Sequence, residues 1–371
     1  MPAIIAGIFL GSVLLNGSVL SIYDPFFIPK NQKNLNLHSQ ILLTNDAFSL
    51  KSLFNNFHGK YVSSQSNHTA IGDIRVDVGS YIKGWGYIGY SYRKEAVIKS
   101  TSDSMKLLYQ VSNNLDLTTD DHYDIFISLK GFETHGIEFS NTYPLYSDGI
   151  FDIQIGYGIE LMIGTEGQNG YVTGYASAVS KTEYDFNLNS YYYYTQNYLY
   201  DYDVEYTSAY GFNTQLAMLF IYDNFTLKIV GNDVLGKLYW KNMPYSEVNL
   251  ISENKSYDKN GYVKYSPAIS GLESEQNVIQ RLMPKWRFDT LYEIDEGFVQ
   301  MGFDYIDDIT LPYISYGHKI NNSLMMKLSY EHYFGMFGLD LTYKHLKVGV
   351  STNRFIDPSA AKVSVGYLYR Y

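Results

Sequence analysis

Carboxylates beside an imidazole are the first place to look for chemistry in this 371-residue chain, and Asp120, Asp121, His122 and Asp124 supply them. Such a set could serve hydrolysis, but it equally fits a polar turn running into a strand, and that reading is adopted. Asp304, Asp307 and Asp308 could hold calcium in a loop; they lack the glycine and terminal glutamate of a dedicated calcium loop, so a solvated turn is expected. No nucleotide-binding loop, His-Glu-x-x-His pair or nucleophile elbow occurs. Without cysteine there is neither a disulfide framework nor a thiolate metal site. Catalytic residues, metal and cofactor are therefore all assigned as none, and an enzyme is not expected. The net charge of -10 gives nucleic acid no electrostatic footprint.

A different set of charges recurs with a period of two. In the C-terminal third Trp286, Phe288, Tyr292 and Ile294 share one face opposite Arg287, Asp289 and Glu293. Leu324, Met326, Leu328 and Tyr330 oppose Lys327 and Glu331; Phe337, Leu339, Leu341 and Tyr343 oppose Asp340 and Lys344; Leu346, Val348 and Val350 oppose Lys347. The last strand sets Val363 and Val365 against Lys362, and ends with Arg370 on the polar side. An oily face and a charged face on consecutive strands fit a wall with lipid outside and a polar lumen inside. Arg287, Asp289, Glu293, Lys327, Glu331, Asp340, Lys344, Lys347, Lys362 and Arg370 are thus expected to face the lumen, with Phe288, Leu328, Leu341 and Val365 toward lipid. Their mixed signs point to a network of partners rather than a single-sign selective constriction.

The elements that must position these charges are strands closed into a barrel. Mean hydropathy of -0.19 excludes a helical membrane protein, and 17% aromatic residues with 39 tyrosines exceed what a core needs but suit a membrane interface. Alternation over Ser359 to Tyr371 would leave an adhesive edge in an open sheet, which closure removes. The expected fold is an all-β transmembrane antiparallel barrel of about fourteen to sixteen strands, with one or two short helices in or near the lumen. The first strand is expected near Leu35 to Leu43, a short helix capped by Asp46, strands over 71–80 and 81–94, and a second helix over 101–113. Further strands are read at 122–131, 135–143, 150–163 and 171–184, then an aromatic and acidic stretch from Tyr191 to Tyr206. Turns at Asp295, 320–322 and 344–345 should be short, while the connections at Asp307, Phe334 and Ile356 should be longer. The apolar run Ile4 to Leu15, with Val19 and Ser21 before Ile22, reads as a leader over 1–21, followed by one barrel domain over 22–371.

Ser364, Gly366, Tyr369 and Tyr371 fall in the order polar, glycine, aromatic, aromatic at the chain end. This resembles the C-terminal signal by which Gram-negative outer-membrane barrels are recognised for assembly. The early helical insertion and the segment Gly231 to Trp240 followed by Pro244 are similar to TraF-like and FadL-like outer-membrane barrels. FadL-type transporters begin with an Asn-Pro-Ala hatch that is absent after Ser21, so hydrophobic transport is carried over to no residue. The resemblance implies the outer membrane as location, with lipid, lipopolysaccharide and the barrel assembly machinery as partners. A porin-like channel or transport barrel for a small solute is the expected function; the alternative is a non-conducting structural or surface-interaction barrel with a plugged lumen.

Overall fold

β-Branched and aromatic residues alternate with polar ones along most of the chain, and strands form wherever they do. The computed structural model describes residues 19–26, 34–62, 66–196, 204–252, 255–257, 263–265 and 269–370. Its strands are β1 (Asn34–Asn45), β2 (Asn67–Ile82), β3 (Gly86–Thr101), β4 (His122–Ser147), β5 (Phe151–Ala178), β6 (Tyr184–Tyr194), β7 (Ala209–Tyr222), β8 (Phe225–Asn232) and β9 (Lys237–Ile251). The small hairpin β10 (Lys255–Tyr257) and β11 (Val263–Tyr265) follows, then β12 (Ile269–Arg281), β13 (Lys285–Ile294), β14 (Gly297–Ile306) and β15 (Ile309–Asn321). The last are β16 (Leu324–Glu331), β17 (Met336–Tyr343), β18 (Leu346–Thr352) and β19 (Ala360–Arg370). Two helices, α1 (Leu50–Leu53) and α2 (Ser102–Ser112), sit in connections.

Seventeen strands form one antiparallel sheet. It closes where β1 meets β19, from Asn34 opposite Arg370 to Thr44 opposite Ala360, so the first and last strands remove each other's open edge. Three pairs of strands lie end to end. One half of β5 pairs with β6 and the other half with β7. Likewise β8 and β9 together run beside β13 and β12. The seventeen segments thus make fourteen rows around the barrel, within the expected range.

The turns at one rim are short: 83–85, 148–150, 223–224, 295–296, 322–323 and 344–345. We call this the lower rim; the longer connections and both helices lie at the opposite, upper rim. Asp307–Asp308 is an exception to the expected longer upper connections. Both residues take positive φ, 45° and 71°, and close a two-residue hairpin that aspartate tolerates. The wall is uneven, with β4 and β5 at 26 and 28 residues against 7 for β18. About ten residues cross a bilayer, so the tall side extends well above the membrane.

Several boundaries differ from expectation for local reasons. The four strands read between 122 and 184 merge into β4 and β5, because Gly131 and the bulge at Glu133/Thr134, and the glycines 164–174, bend strands without ending them. The 80/81 break moves to 83–85. Asp46 does not cap α1; it accepts from the Thr69 amide at 2.9 Å, and Ser49 is the cap. Asn45 receives the Ala47 and Phe48 amides at 2.7 Å each, and this turn occupies the residues that the expected helix start would need. α2 lies where expected, with Thr101 accepting from the Ser104 amide. The helices pack on each other and on the upper wall through Phe48, Met105 and Leu107, so they brace the rim. Of the aromatic stretch, Tyr198, Tyr200 and Tyr202 lie outside the described residues, and Tyr206 is exposed and outside any strand.

The outer surface is apolar at mid-height, with Ile137, Phe139, Leu161, Leu328, Leu339, Leu341 and Val350 all exposed. Trp85, Tyr146, Tyr222, Tyr343 and Tyr369 ring the lower rim. An oily band bounded by aromatics is the surface that a bilayer requires. Among the described residues no helix is long and apolar enough to cross a membrane.

Candidate functional site

The lumen is filled from the residues inward. Period-two alternation on β2 points Asp73, Arg75 and Asp77 to the inside, and β3 adds Arg93 and Glu95; all five are buried. Arg93 is the hub of this side. Its guanidinium reaches Glu95 at 2.8 Å, Glu160 of β5 at 3.3 Å and Asp233 at 2.9 Å. Lys285 joins the group at 2.6 Å from Glu95, and Arg75 donates to Asp77 at 2.9 Å. A buried charge is tolerated only with such partners. On the other wall Asp340 takes Lys327 at 2.9 Å and has Lys347 at 4.0 Å.

Residues 19–26 cross this interior as a strap, and every one of them is buried. The wall holds the strap chiefly by its main chain. Gln40 donates to the Val19 carbonyl at 2.9 Å; the Leu20 amide donates to Asp304 and the Ser21 amide to Asp73, both at 3.0 Å. Arg287, fixed by Asp304 at 3.0 Å, donates to the Leu20 and Ile22 carbonyls at 3.0 and 3.2 Å. The Asn232 amide group pairs with both the N–H and the carbonyl of Tyr23, at 2.8 and 3.1 Å. Asp24 closes an ion pair with Lys228 at 2.8 Å. These contacts come from β1 and β2 on one side and β8, β13 and β14 on the other, so the strap bridges opposite walls. Phe26 lies flat against Gly156, where an added Cβ would stand 2.5 Å from the ring. Above the strap, Leu42, Ile71, Val97, Ile306, Ile309, Leu311, Phe334 and Met336 form an apolar layer with Val19, Leu20 and Ile22. The turn 307–308 folds over that layer, latched by Lys99 at 3.0 Å and Lys130 at 2.6 Å from Asp307.

Of the residues expected to face the lumen, Arg287, Asp289, Lys327, Glu331, Asp340 and Lys362 are buried, while Glu293 and Lys347 are half-buried. Lys344 is placed differently: it occupies the turn after β17 with φ 53°, is exposed, and lies over the Tyr343 ring. Glu331 turns its carboxylate to the Tyr333 and Phe334 amides, capping the upper turn. Arg370 is in β19, its side chain outside what is described. In the proposed assembly signal, Ser364 and Gly366 sit inward on β19, Tyr369 is exposed and stacks with Tyr367, and Tyr371 lies outside the described residues.

His122 stands between Ser177 at 3.1 Å and Asp124 at 3.6 Å, an order of groups that resembles a nucleophile, base and carboxylate. The carboxylate contact exceeds hydrogen-bond length, and both His122 and Asp124 are mostly exposed at the upper rim, without the dry surroundings that such chemistry uses. Asp121 is taken by Lys106 at 3.1 Å. Asp304 and Asp307 are engaged by Arg287 and the two lysines, and no group of three possible metal ligands converges among the described residues.

The residues that sequence reasoning passed over are the strap itself and the β2–β3 charges. Asp73, Arg75 and Asp77 carried the same period-two signal as Lys327 and Asp340; Pro25 between Asp24 and Phe26 marked an extended stretch ahead of the first strand.

Fold and interior together define a transmembrane β-barrel whose lumen is crossed by an internal strap. No protein-family model matches the sequence, and no curated protein matches it. Among solved structures the chain is similar to a deletion mutant of the monoaromatic hydrocarbon channel TodX (TM-score 0.45, 9% identity, covering 93% of this chain and 91% of that one). It is also similar to the Pseudomonas putida toluene transporter TodX (TM-score 0.43, 11% identity, 93% and 91%) and the Ralstonia pickettii toluene transporter TbuX (TM-score 0.34, 8% identity, 92% and 90%).

Proposed function

We propose that this chain is an outer-membrane barrel that passes a small solute when the strap leaves the lumen. The observation that carries the reading is the mode of attachment. Beside the apolar packing of Val19, Leu20, Ile22 and Phe26, the strap is held across a fourteen-row lumen by hydrogen bonds and one ion pair, and water can replace these polar contacts as it leaves. A barrel of this size has a real interior once emptied. Lipid and lipopolysaccharide would cover the apolar band, and the barrel assembly machinery would read Ser364, Gly366, Tyr369 and Tyr371. The second reading, a non-conducting structural barrel, draws on the apolar layer packed in the lumen above the strap. Planar-bilayer recording separates them: stepwise conductance that rises when the strap contacts are weakened supports transport, and a barrel that stays silent with the strap unlocked overturns it.

A further inference from the structure

The tall side of the wall carries a cluster of tyrosine rings that neither the strap nor the lumen charges use. β5 climbs 28 residues from Phe151 at the lower rim, and Tyr171 stands in its upper third, beyond the roughly ten residues that cross a bilayer. Register places Tyr171 opposite Tyr191 of β6, Tyr191 opposite Glu247 of β9, and Tyr193 opposite Tyr245. Directly opposed residues share a face, so four rings and one carboxylate gather on the same side of three strands. The ring centroids are 5.0 Å apart for Tyr191 and Tyr193, 5.7 Å for Tyr193 and Tyr245, and 6.0 Å for Tyr171 and Tyr191. Tyr191 and Tyr193 meet at 88°, which gives the cluster a corner rather than a flat stack. The other face of these strands is buried through Ser190, Tyr192, Tyr194, Ser246 and Val248, whereas Tyr171 and Glu247 are exposed. Among the described residues the Glu247 carboxylate has no cation beside it. Lys130 of β4, in line with Tyr193 across Asn169, is held by Asp307 at 2.6 Å. An uncompensated carboxylate thus stands beside rings whose faces carry negative charge density, and the complement of both is an organic cation.

We propose that this cluster binds a quaternary ammonium cation, its methyl groups on the rings of Tyr171, Tyr191, Tyr193 and Tyr245 and its charge facing Glu247. Such a cation is attracted within about 6 Å of a ring centroid, and the spacing of the four rings lets one cation reach several of them. A metal ion is a poorer occupant, because it takes several oxygen ligands and the face offers a single carboxylate. The cluster stands apart from the strap, so binding here does not depend on whether the lumen conducts.

Calorimetry on the full-length protein in nonionic detergent tests it with three probes: choline, its neutral isostere 3,3-dimethylbutan-1-ol, and ethanolamine, which keeps the charge and loses the methyl groups. Choline is expected to bind at least about tenfold more tightly than the alcohol, because the rings and the carboxylate both attract its charge. It should also bind more tightly than ethanolamine, whose compact ammonium is strongly hydrated. Glu247→Gln, at an exposed position, should weaken choline about threefold to fivefold, as an exposed ion pair warrants, and leave the alcohol unchanged. Tyr191→Leu should weaken choline at least about fivefold while Tyr191→Phe retains it; if Tyr191→Leu fails to fold, Tyr171→Leu at the exposed edge is read in its place. Equal binding of choline and the alcohol, no binding of choline, or ethanolamine bound as tightly as choline would each overturn the proposal, as would Glu247→Gln and Tyr171→Leu without effect. A barrel that conducts yet binds no choline overturns this inference alone, and one that binds it but never conducts overturns only the transport reading.

Discussion

Arg287→Met should unlock the strap. The guanidinium makes two hydrogen bonds to strap carbonyls, at 3.0 and 3.2 Å, from a fully buried position. Hydrogen bonds to a charged group contribute about 1.5–3 kcal/mol each, so the pair is worth about 3–6 kcal/mol. Water entering the vacated space recovers part of this, which favours the lower end, and about 3 kcal/mol moves the ratio of seated to released strap by about a hundredfold. The substitution also strips Asp304 of its cation, and an unpaired buried charge costs about 3–5 kcal/mol. Asp304 also accepts the Leu20 amide at 3.0 Å, and an asparagine side-chain oxygen can still accept it, so Arg287→Met/Asp304→Asn removes the unpaired charge while keeping that contact and is the cleaner perturbation. Single-channel recording in planar bilayers reads the outcome as open probability, with heat-modifiable migration as the check on folding. Both variants should open far more often than the parent. A folded double variant that closes as tightly as the parent would refute the claim that these contacts hold the strap.

Val365→Arg should lower barrel stability by about 2–4 kcal/mol in urea titration if Val365 lies near mid-bilayer, because that is the cost of an arginine facing lipid there; Lys362→Arg, on the inner side, should change it little. Tyr371→Asp should sharply reduce the yield of heat-modifiable barrel in the outer membrane, since one terminal tyrosine contributes at most a fraction of the roughly 1 kcal/mol that strand propensity spans; normal insertion would remove the assembly-signal reading. Intact-mass measurement of membrane-extracted protein should show Val19 to Ser21 retained, because the strap contacts of Gln40, Asp73, Asp304 and Arg287 are made to their main chain. A mature N-terminus at Ile22, where the leader over 1–21 would end, would show that those contacts are lost on processing and would confine the strap to Ile22 onward.

The wall was legible and its contents were not. Alternation in β14 to β19 is uninterrupted, so face and period could be read from Lys327, Asp340 and Lys362 alone, and the closure of β19 on β1 follows from the need to pair an edge. Glycine misled the reading at 131 and 164–174 because in a tall, bent wall it marks curvature as often as an end. The strap escaped because its eight residues show no period: they form no ladder, and their order comes from side chains scattered from Gln40 to Asp304. Those contacts span up to 284 residues of sequence and leave no local pattern. The cavity beneath the strap is likewise a product of closure, since Lys319 and Lys347 line it together only after the sheet has curled.

Recognition through the main chain also governs what each part of the molecule can tolerate. A carbonyl or amide looks the same whatever side chain it carries, so Val19, Leu20 and Ile22 are free to exchange among apolar residues of similar volume while the hydrogen bonds persist. Gln40, Asp73, Asn232, Arg287 and Asp304 have no such latitude, because each supplies its contact with side-chain atoms. In divergent copies of this barrel, the strap should therefore drift in sequence while the five residues that hold it stay fixed.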